Sequence, residues 1–124
     1  DVETPFEVED PKQAFSDAAF EIAAAKQELN ALGVDFFDLP KASPKAEKTK
    51  AACMQVIGYL LHEPLLLQSV HKTACLPGKT LMQELGVSSK VLERHRKYIL
   101  AGLVILGGDY PTLQGYFDTR KGVR

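Results

Sequence analysis

Residues 79–106 read KTLMQELGVSSKVLERHRKYILAGLVIL, and their spacing decides the fold. A short segment with Leu81 and Leu85 on one side is followed by Gly86. A longer segment then opens on Ser88 and Ser89 and ends in an almost wholly apolar run. This predicts a helix over about 79–85, a turn at Gly86 to Ser88 in which glycine supplies a positive φ, and a second helix to about 106. That is the spacing of a helix-turn-helix, with Leu81, Leu85, Val87, Val91 and Leu92 supplying the contacts that hold two such helices at a fixed angle.

The second helix has two unlike halves. At ~100° per residue with Ser89 as zero, Lys90, Glu93, Arg94, Arg96 and Lys97 fall within roughly −20° to 140°. On the same step of roughly 100°, Val91, Leu92, Tyr98 and Ile99 fall near 180–300°, and His95 sits among them at about 240°. His95 is therefore read as a packed histidine rather than a base-reading or catalytic one. Beyond Ile99, Leu100, Ala101, Leu103, Val104, Ile105 and Leu106 cover every direction, and a helix apolar all round must be surrounded by protein. The first half projects, and the second is the central post of a bundle.

A helix that enters the major groove needs this construction, held from behind with polar groups exposed near its N-terminus. Arg94 suits two bonds to guanine and Glu93 suits acceptance from a cytosine amino group. Lys79, Lys90, Arg96 and Lys97 suit phosphates, and Ser88 or Ser89 suits a helix cap that also touches the DNA backbone. The same residues would also make a solvated basic face without a DNA role, Glu93 pairing with Lys97 at i,i+4 for about 0.2–0.5 kcal/mol.

Outward from this stretch the chain reads as helical. A helix is expected over about 11–32, with Asp10 as cap, Pro11 at the first position and Gly33 past the end. Phe15, Ala18, Ala19, Ile22, Ala25 and Leu29 form its packing face, and its acids face water. GVDFFDLPKASP is a connector pinned by Phe36, Phe37 and Leu39, with room for a short helical turn. Ser43 and Pro44 restart a helix of roughly 44–62 with Ala52, Val56, Tyr59 and Leu60 as its buried stripe, and Pro64 opens another to about 74. Gly107 and Gly108 stop the long helix. Asp109 and Pro111 start a closing one, whose Tyr110, Leu113, Tyr116 and Phe117 cover the post or face a partner. The fold class is all-α, a compact bundle of five to six helices.

Composition sets the frame. The chain has 124 residues, 45% of them apolar and 25% charged, which fits one globular domain. Residues 1–10 are an acidic N-terminal extension and 11–124 the helical domain, with the helix-turn-helix at about 79–106. Leu60 to Val70 is interrupted by His62, Glu63, Pro64 and Gln68, so no membrane span is expected. The acidic DVETPFEVED opening lacks a signal-peptide n-region, which favours cytoplasm or nucleoid. Cys53 and Cys75 form no C-x-x-C pair and are read as two reduced, partly buried thiols. Residues 1–40 carry ten acids against Lys12 and Lys26, a balance of −8, whereas residues 41–124 carry thirteen Lys and Arg against six acids, a balance of +7. Such asymmetry fits either a surface for phosphates or an acidic partner, or neutralisation within the fold.

No metal, cofactor or catalytic group is assigned. His71 and Cys75 stand at i,i+4 without a second ligand pair, His62-Glu63 is not part of H-E-x-x-H because Leu66 takes the second position, and LPGKT at 76–80 is not a nucleotide-binding loop. An enzyme is not expected.

LGVSSKVLERHRKYILAGLVILGGDYPTLQGYF, residues 85–117, resembles the end of bacterial sigma-I factors, the alternative sigma factors of Bacillus and clostridial relatives, with their V-S-R-K-T-[LIV]-E-R-H-R-K-Y-I-like signature. FFDLPKASPKAEKTK, residues 36–50, resembles the family's F-x-D-L-V-x-x-S-P-K-H-R-D-T-R-like segment. The resemblance covers about residues 34–117, and Glu93 to Ile99 is its most specific part. It implies one C-terminal domain of a longer factor, reading the promoter −35 element while the rest of the factor engages the −10 element and the RNA polymerase core. It also implies inhibition by the cytoplasmic N-terminal domain of a membrane-anchored, RsgI-like anti-sigma factor, a pairing that in cellulose-degrading clostridia controls cellulosome genes. Lys90, Glu93, Arg94, Arg96 and Lys97 carry over as DNA contacts, as do Lys45, Lys48 and Lys50. Two departures stand out. Ser89 replaces a usual basic residue, and Ala46 to Lys50 replaces an H-R-D-T-R-like run without its His and Arg. A second function class is a helical interaction module whose acidic first helix and apolar surfaces bind the anti-sigma domain, with little intrinsic DNA affinity.

Overall fold

The computed structural model describes residues 11–117, with side chains over 16–115. These residues form eight α-helices and a 3-10 turn: α1 Pro11–Ala31, the turn Phe36–Asp38, α2 Leu39–Ala42, α3 Glu47–Leu61, α4 Pro64–Thr73, α5 Gly78–Leu85, α6 Ser89–Arg94, α7 Arg96–Gly107 and α8 Pro111–Phe117. The class is all-α, as the sequence implies. The count exceeds five to six for two reasons: the connector contains α2, and the long helix expected to end near 106 is divided into α6 and α7 at His95.

α7 is the centre. Every residue from Tyr98 to Ile105 is buried, and α1, α2, α3, α6 and α8 all pack on it. An all-apolar helix has no face to offer water, so its neighbours must enclose it. Ala25 and Leu29 of α1 are fully buried beside it, as are Cys53, Val56 and Leu60 of α3, and Leu81 of α5, which packs on α3 and α6, is fully buried in the same core.

α1 ends in a glycine cap. Gly33 lies at φ 78, its N–H donates to the Asn30 carbonyl, and the Val34 N–H donates to the Leu29 carbonyl, both at 2.9 Å. This is the Schellman arrangement, closed by apolar contact between the residues on either side, here the buried Leu29 and Val34. The expected cap, Asp10, lies outside the described residues, and the side chains of Phe15, Tyr116 and Phe117 lie outside those described.

Several expectations are corrected. α3 starts at Glu47 rather than 44, because Ser43 is extended (φ −71, ψ 134) and its hydroxyl donates to the Leu39 carbonyl at 2.7 Å. Ser43 thus closes α2 instead of opening α3. The buried stripe of α3 is Cys53, Val56, Ile57 and Leu60, with Ala52 and Tyr59 only partly buried at its border. Phe37 is 66% exposed rather than a core anchor; it meets Phe36 edge-on with ring centroids 5.7 Å apart and carries Lys26 Nζ at 4.9 Å over its ring. Cys53 is buried but Cys75 is exposed, and because α4 ends at Thr73, His71 and Cys75 do not share a helix face.

The acids of α1 do not all simply face water. The Glu21 carboxylate accepts from the backbone N–H of Thr112 (3.0 Å) and of Leu113 (2.9 Å), capping α8 from a different helix. Seven residues on, Glu28 Oε2 accepts from the Tyr110 hydroxyl at 2.7 Å. Gln114 completes the joint by donating from Nε2 to the Ile105 carbonyl at 3.0 Å and the Gly108 carbonyl at 2.9 Å. The last carbonyls of α7 and the first amides of α8 are orphan groups of their helices, and this joint satisfies the Ile105 carbonyl of the one and the Thr112 and Leu113 amides of the other. No helix among the described residues is long and apolar enough to cross a membrane.

Candidate nucleic-acid interface

α5, the turn Gly86 to Ser88 and α6 present the basic residues. Gly86 takes φ 70 and its N–H donates to the Met82 carbonyl at 3.0 Å, ending α5. Ser88 is extended (φ −84, ψ 153), and its Oγ accepts from the Val91 N–H at 3.2 Å, so of the two serines it is Ser88 that caps α6. Val87 and Leu92 are buried beneath, Leu85 and Val91 half-buried.

His95 determines which side chains share a surface. It takes φ −111, ψ 25, outside the helical range, and ends α6. Its Nδ1–H donates to the Ala42 carbonyl at 2.9 Å across 53 positions of sequence, which places the proton on Nδ1. The half-buried ring thus ties α2 to the α6–α7 junction and agrees with the reading of His95 as a packed histidine.

Lys90, Glu93 and Arg94 are exposed on α6. Arg96 and Lys97 belong to the first turn of α7, past the break, and a straight helical wheel does not place them. Arg96 Nη2 donates to the Ala74 carbonyl at 2.9 Å. Lys97 Nζ lies 3.4 Å from Asp38 Oδ2, with the two side chains 44% and 43% exposed. Lys97 therefore pairs with Asp38 and not with Glu93.

Three open hollows lie along this face. The largest, about 410 Å³, is lined by Asp38, Lys41, Ala42, Glu93, Arg94, Arg96 and Lys97. A second, about 330 Å³, is lined by Lys90, Glu93 and Arg94. The third, about 280 Å³, has Cys75, Leu76, Gly78, Ser89, Leu92, Glu93 and Arg96 around it. The structure thus gathers Ser89, Lys90, Glu93, Arg94, Arg96 and Lys97 on one surface. Lys79 is exposed on the first turn of α5, next to Gly78. Lys45 and Lys48 are exposed and Lys50 half-buried, Lys45 before α3 and the other two in its first turn, and these three hollows do not include them.

Lys41 and Asp38 are the residues that sequence reasoning missed. Both come from the connector, and nothing in a linear pattern signals that α2 packs on α7. Among the described residues no cluster of His, Cys, Asp and Glu suits a metal ion.

Comparison with known proteins places these features in context. No protein-family model matches the chain. Over 103 residues it is 35% identical to the RNA polymerase sigma factor SigI of Bacillus subtilis strain 168, a match covering 83% of this chain and 40% of that protein. It is 33% identical over 98 residues to the RNA polymerase sigma factor SigI7 of Acetivibrio thermocellus, covering 79% of this chain and 42% of that protein. For the SigI of Bacillus anthracis the identity is 31% over 88 residues, covering 71% of this chain and 37% of that protein. The chain spans about two fifths of the length of the curated relatives it matches.

Proposed function

The chain belongs to the sigma-I family of RNA polymerase sigma factors, and from that premise we propose that it is the C-terminal domain through which such a factor reads the promoter −35 element. The observation that carries this reading is the exposure of Lys90, Glu93 and Arg94 on a six-residue helix whose opposite side, Leu92, is buried. α5, the Gly86 turn and α6 act as a helix-turn-helix, in which α6 enters the major groove with Arg94 on a guanine and Glu93 on a cytosine amino group. Ser88, Ser89, Lys79, Lys90, Arg96 and Lys97 meet the DNA backbone, and Lys45, Lys48 and Lys50 extend the contact along it. The rest of the factor supplies the RNA polymerase core contacts, and tethering to polymerase raises the effective concentration of a domain that binds weakly alone.

Arg94→Ala is expected to weaken binding to a −35-bearing duplex by about 1–3 kcal/mol and to relax preference at one base pair. Lys97→Ala should weaken all sequences alike and reduce the slope of log K against log salt by about 0.9. Unchanged promoter use by a full-length factor carrying both substitutions would rule out the assigned face.

A second reading rests on Phe20 of α1 and Leu65 of α4, large apolar side chains left 79% and 81% exposed. Groups of this kind suit a protein partner, and in this family setting the partner is the cytoplasmic domain of a membrane-anchored anti-sigma factor. Phe20→Ala with Leu65→Ala should abolish that complex and leave duplex binding intact. Loss of the complex with Arg94→Ala instead would place the inhibitor over the α6 face.

A further inference from the structure

We propose that Asp38 is an internal competitor for the DNA phosphate that Lys97 binds, its carboxylate occupying Lys97 Nζ in the free protein and so holding down affinity for duplex DNA of any sequence. The inference rests on the promoter-reading assignment of the α6 face and adds to it a residue that sets the strength of backbone contact.

The carboxylate is placed by the fold. Asp38 lies 59 positions from Lys97 in sequence and stands at the junction of the 3-10 turn and α2. α2 packs on α7, and the His95 bond to the Ala42 carbonyl fixes its far end. Asp38 is also the N-cap residue of α2, a position at which aspartate ordinarily accepts from the backbone, yet its side chain makes no such bond. Asp35, three residues earlier, does accept one, from the Phe37 N–H at 3.0 Å. The Asp38 carboxylate is thus directed at Lys97 rather than at a helix end.

The pair is built to yield. At 3.4 Å, with both side chains more than two fifths exposed, it is a solvated ion pair, which water and salt weaken. A phosphate entering the hollow lined by Lys41, Arg94, Arg96 and Lys97 together with Asp38 and Glu93 is repelled by both carboxylates, but only Asp38 is paired with a cation there, Lys97, Arg96 being held instead by the neutral Ala74 carbonyl. Lys97 must exchange Asp38 for the phosphate, so the gain from that contact is reduced for every DNA sequence. Base contacts by Arg94 are untouched, and placement on DNA comes to depend more on them.

The test measures binding of the 124-residue chain to a fluorescein-labelled, mixed-sequence 20-base-pair duplex across a salt series. Asp38→Asn, which keeps the cap's shape, is expected to tighten binding about three- to tenfold at low salt and to steepen the salt dependence by up to about 0.9 in the log–log slope. Asp38→Ser, a second cap-compatible change, should do the same. In a Lys97→Ala background the gain from Asp38→Asn should fall below about twofold. Asp38 variants that bind no tighter, while Lys97→Ala and Arg94→Ala both weaken binding, would overturn the competitor and leave the promoter-reading face standing. A gain that persists undiminished without Lys97 would also overturn it, since Asp38 would then act only as a general charge. If Lys97→Ala and Arg94→Ala themselves change nothing, the face assignment fails and the competitor fails with it.

Discussion

Ala74 occupies the left-handed region, at φ 61 and ψ 20, where a Cβ crowds the following carbonyl. It ends α4, and its carbonyl receives the Arg96 guanidinium. Ala74→Gly should relieve the crowding while keeping that bond, raising stability by about 0.5–1 kcal/mol in denaturant titrations. Gly108 poses the opposite problem. A Cβ there would lie 2.8 Å from the Val104 carbonyl oxygen and 2.8 Å from the Tyr110 ring, and a backbone atom cannot step aside as a flexible side chain can. Gly108→Ala should therefore cost about 1–3 kcal/mol, read as an earlier unfolding midpoint. At this scale the glycine signals were legible in sequence as helix stops, whereas the strained alanine carried no signal, because nothing in its identity requires a positive φ.

The helix pair α6 and α7 explains why one apparent helix has two unlike halves: it is two helices, divided at His95, the first exposed and the second buried. The periodicity up to Ile99 allows a continuous helix, and only the His95 bond to Ala42 and the packing of α2 place the break. α8 shows the same dependence on distant partners. Burial of the Glu21 carboxyl works to raise its pKa, but hydrogen bonds from the Leu113 and Thr112 amides outweigh this and hold it below the usual value. A depressed folded-state pKa gives stability that is present above the unfolded-state pKa and lost as pH falls through the folded one. Glu21→Gln should thus lower the melting temperature at neutral pH and narrow its gap to the parent chain as the solution is acidified; a gap that widens in acid would contradict the cap.

Across the whole molecule, α1 closes the fold by binding the end of the described chain through Glu21 and Glu28. Tyr110 belongs to this closure. Burial, together with the hydrogen bond to the Glu28 carboxylate and the nearby charges of Glu28, Asp109 and Glu21, pushes its hydroxyl up to about 12. A raised folded-state pKa gives stability that is complete below the unfolded value near 10 and lost as pH rises through about 12. Tyr110→Phe should be less stable than the parent at neutral pH by about 1–2 kcal/mol, and the difference should shrink over that alkaline window. Cys53, whose thiol burial pushes up to about 11, adds an inert group to the same core.

The sequence by itself determined the all-α class, the central position of residues 98–105, the turn at Gly86 and the basic character of α6. Each of these follows from local composition and periodicity, which act over a few residues. Only the tertiary structure decided that the long helix breaks at His95, that Lys41 and Asp38 join the α6 face, and that Glu21 caps α8 across 91 positions of sequence. These depend on which surfaces meet once α7 is enclosed, and a carboxylate or a carbonyl finds a partner by proximity in space, about which its neighbours along the chain carry no information.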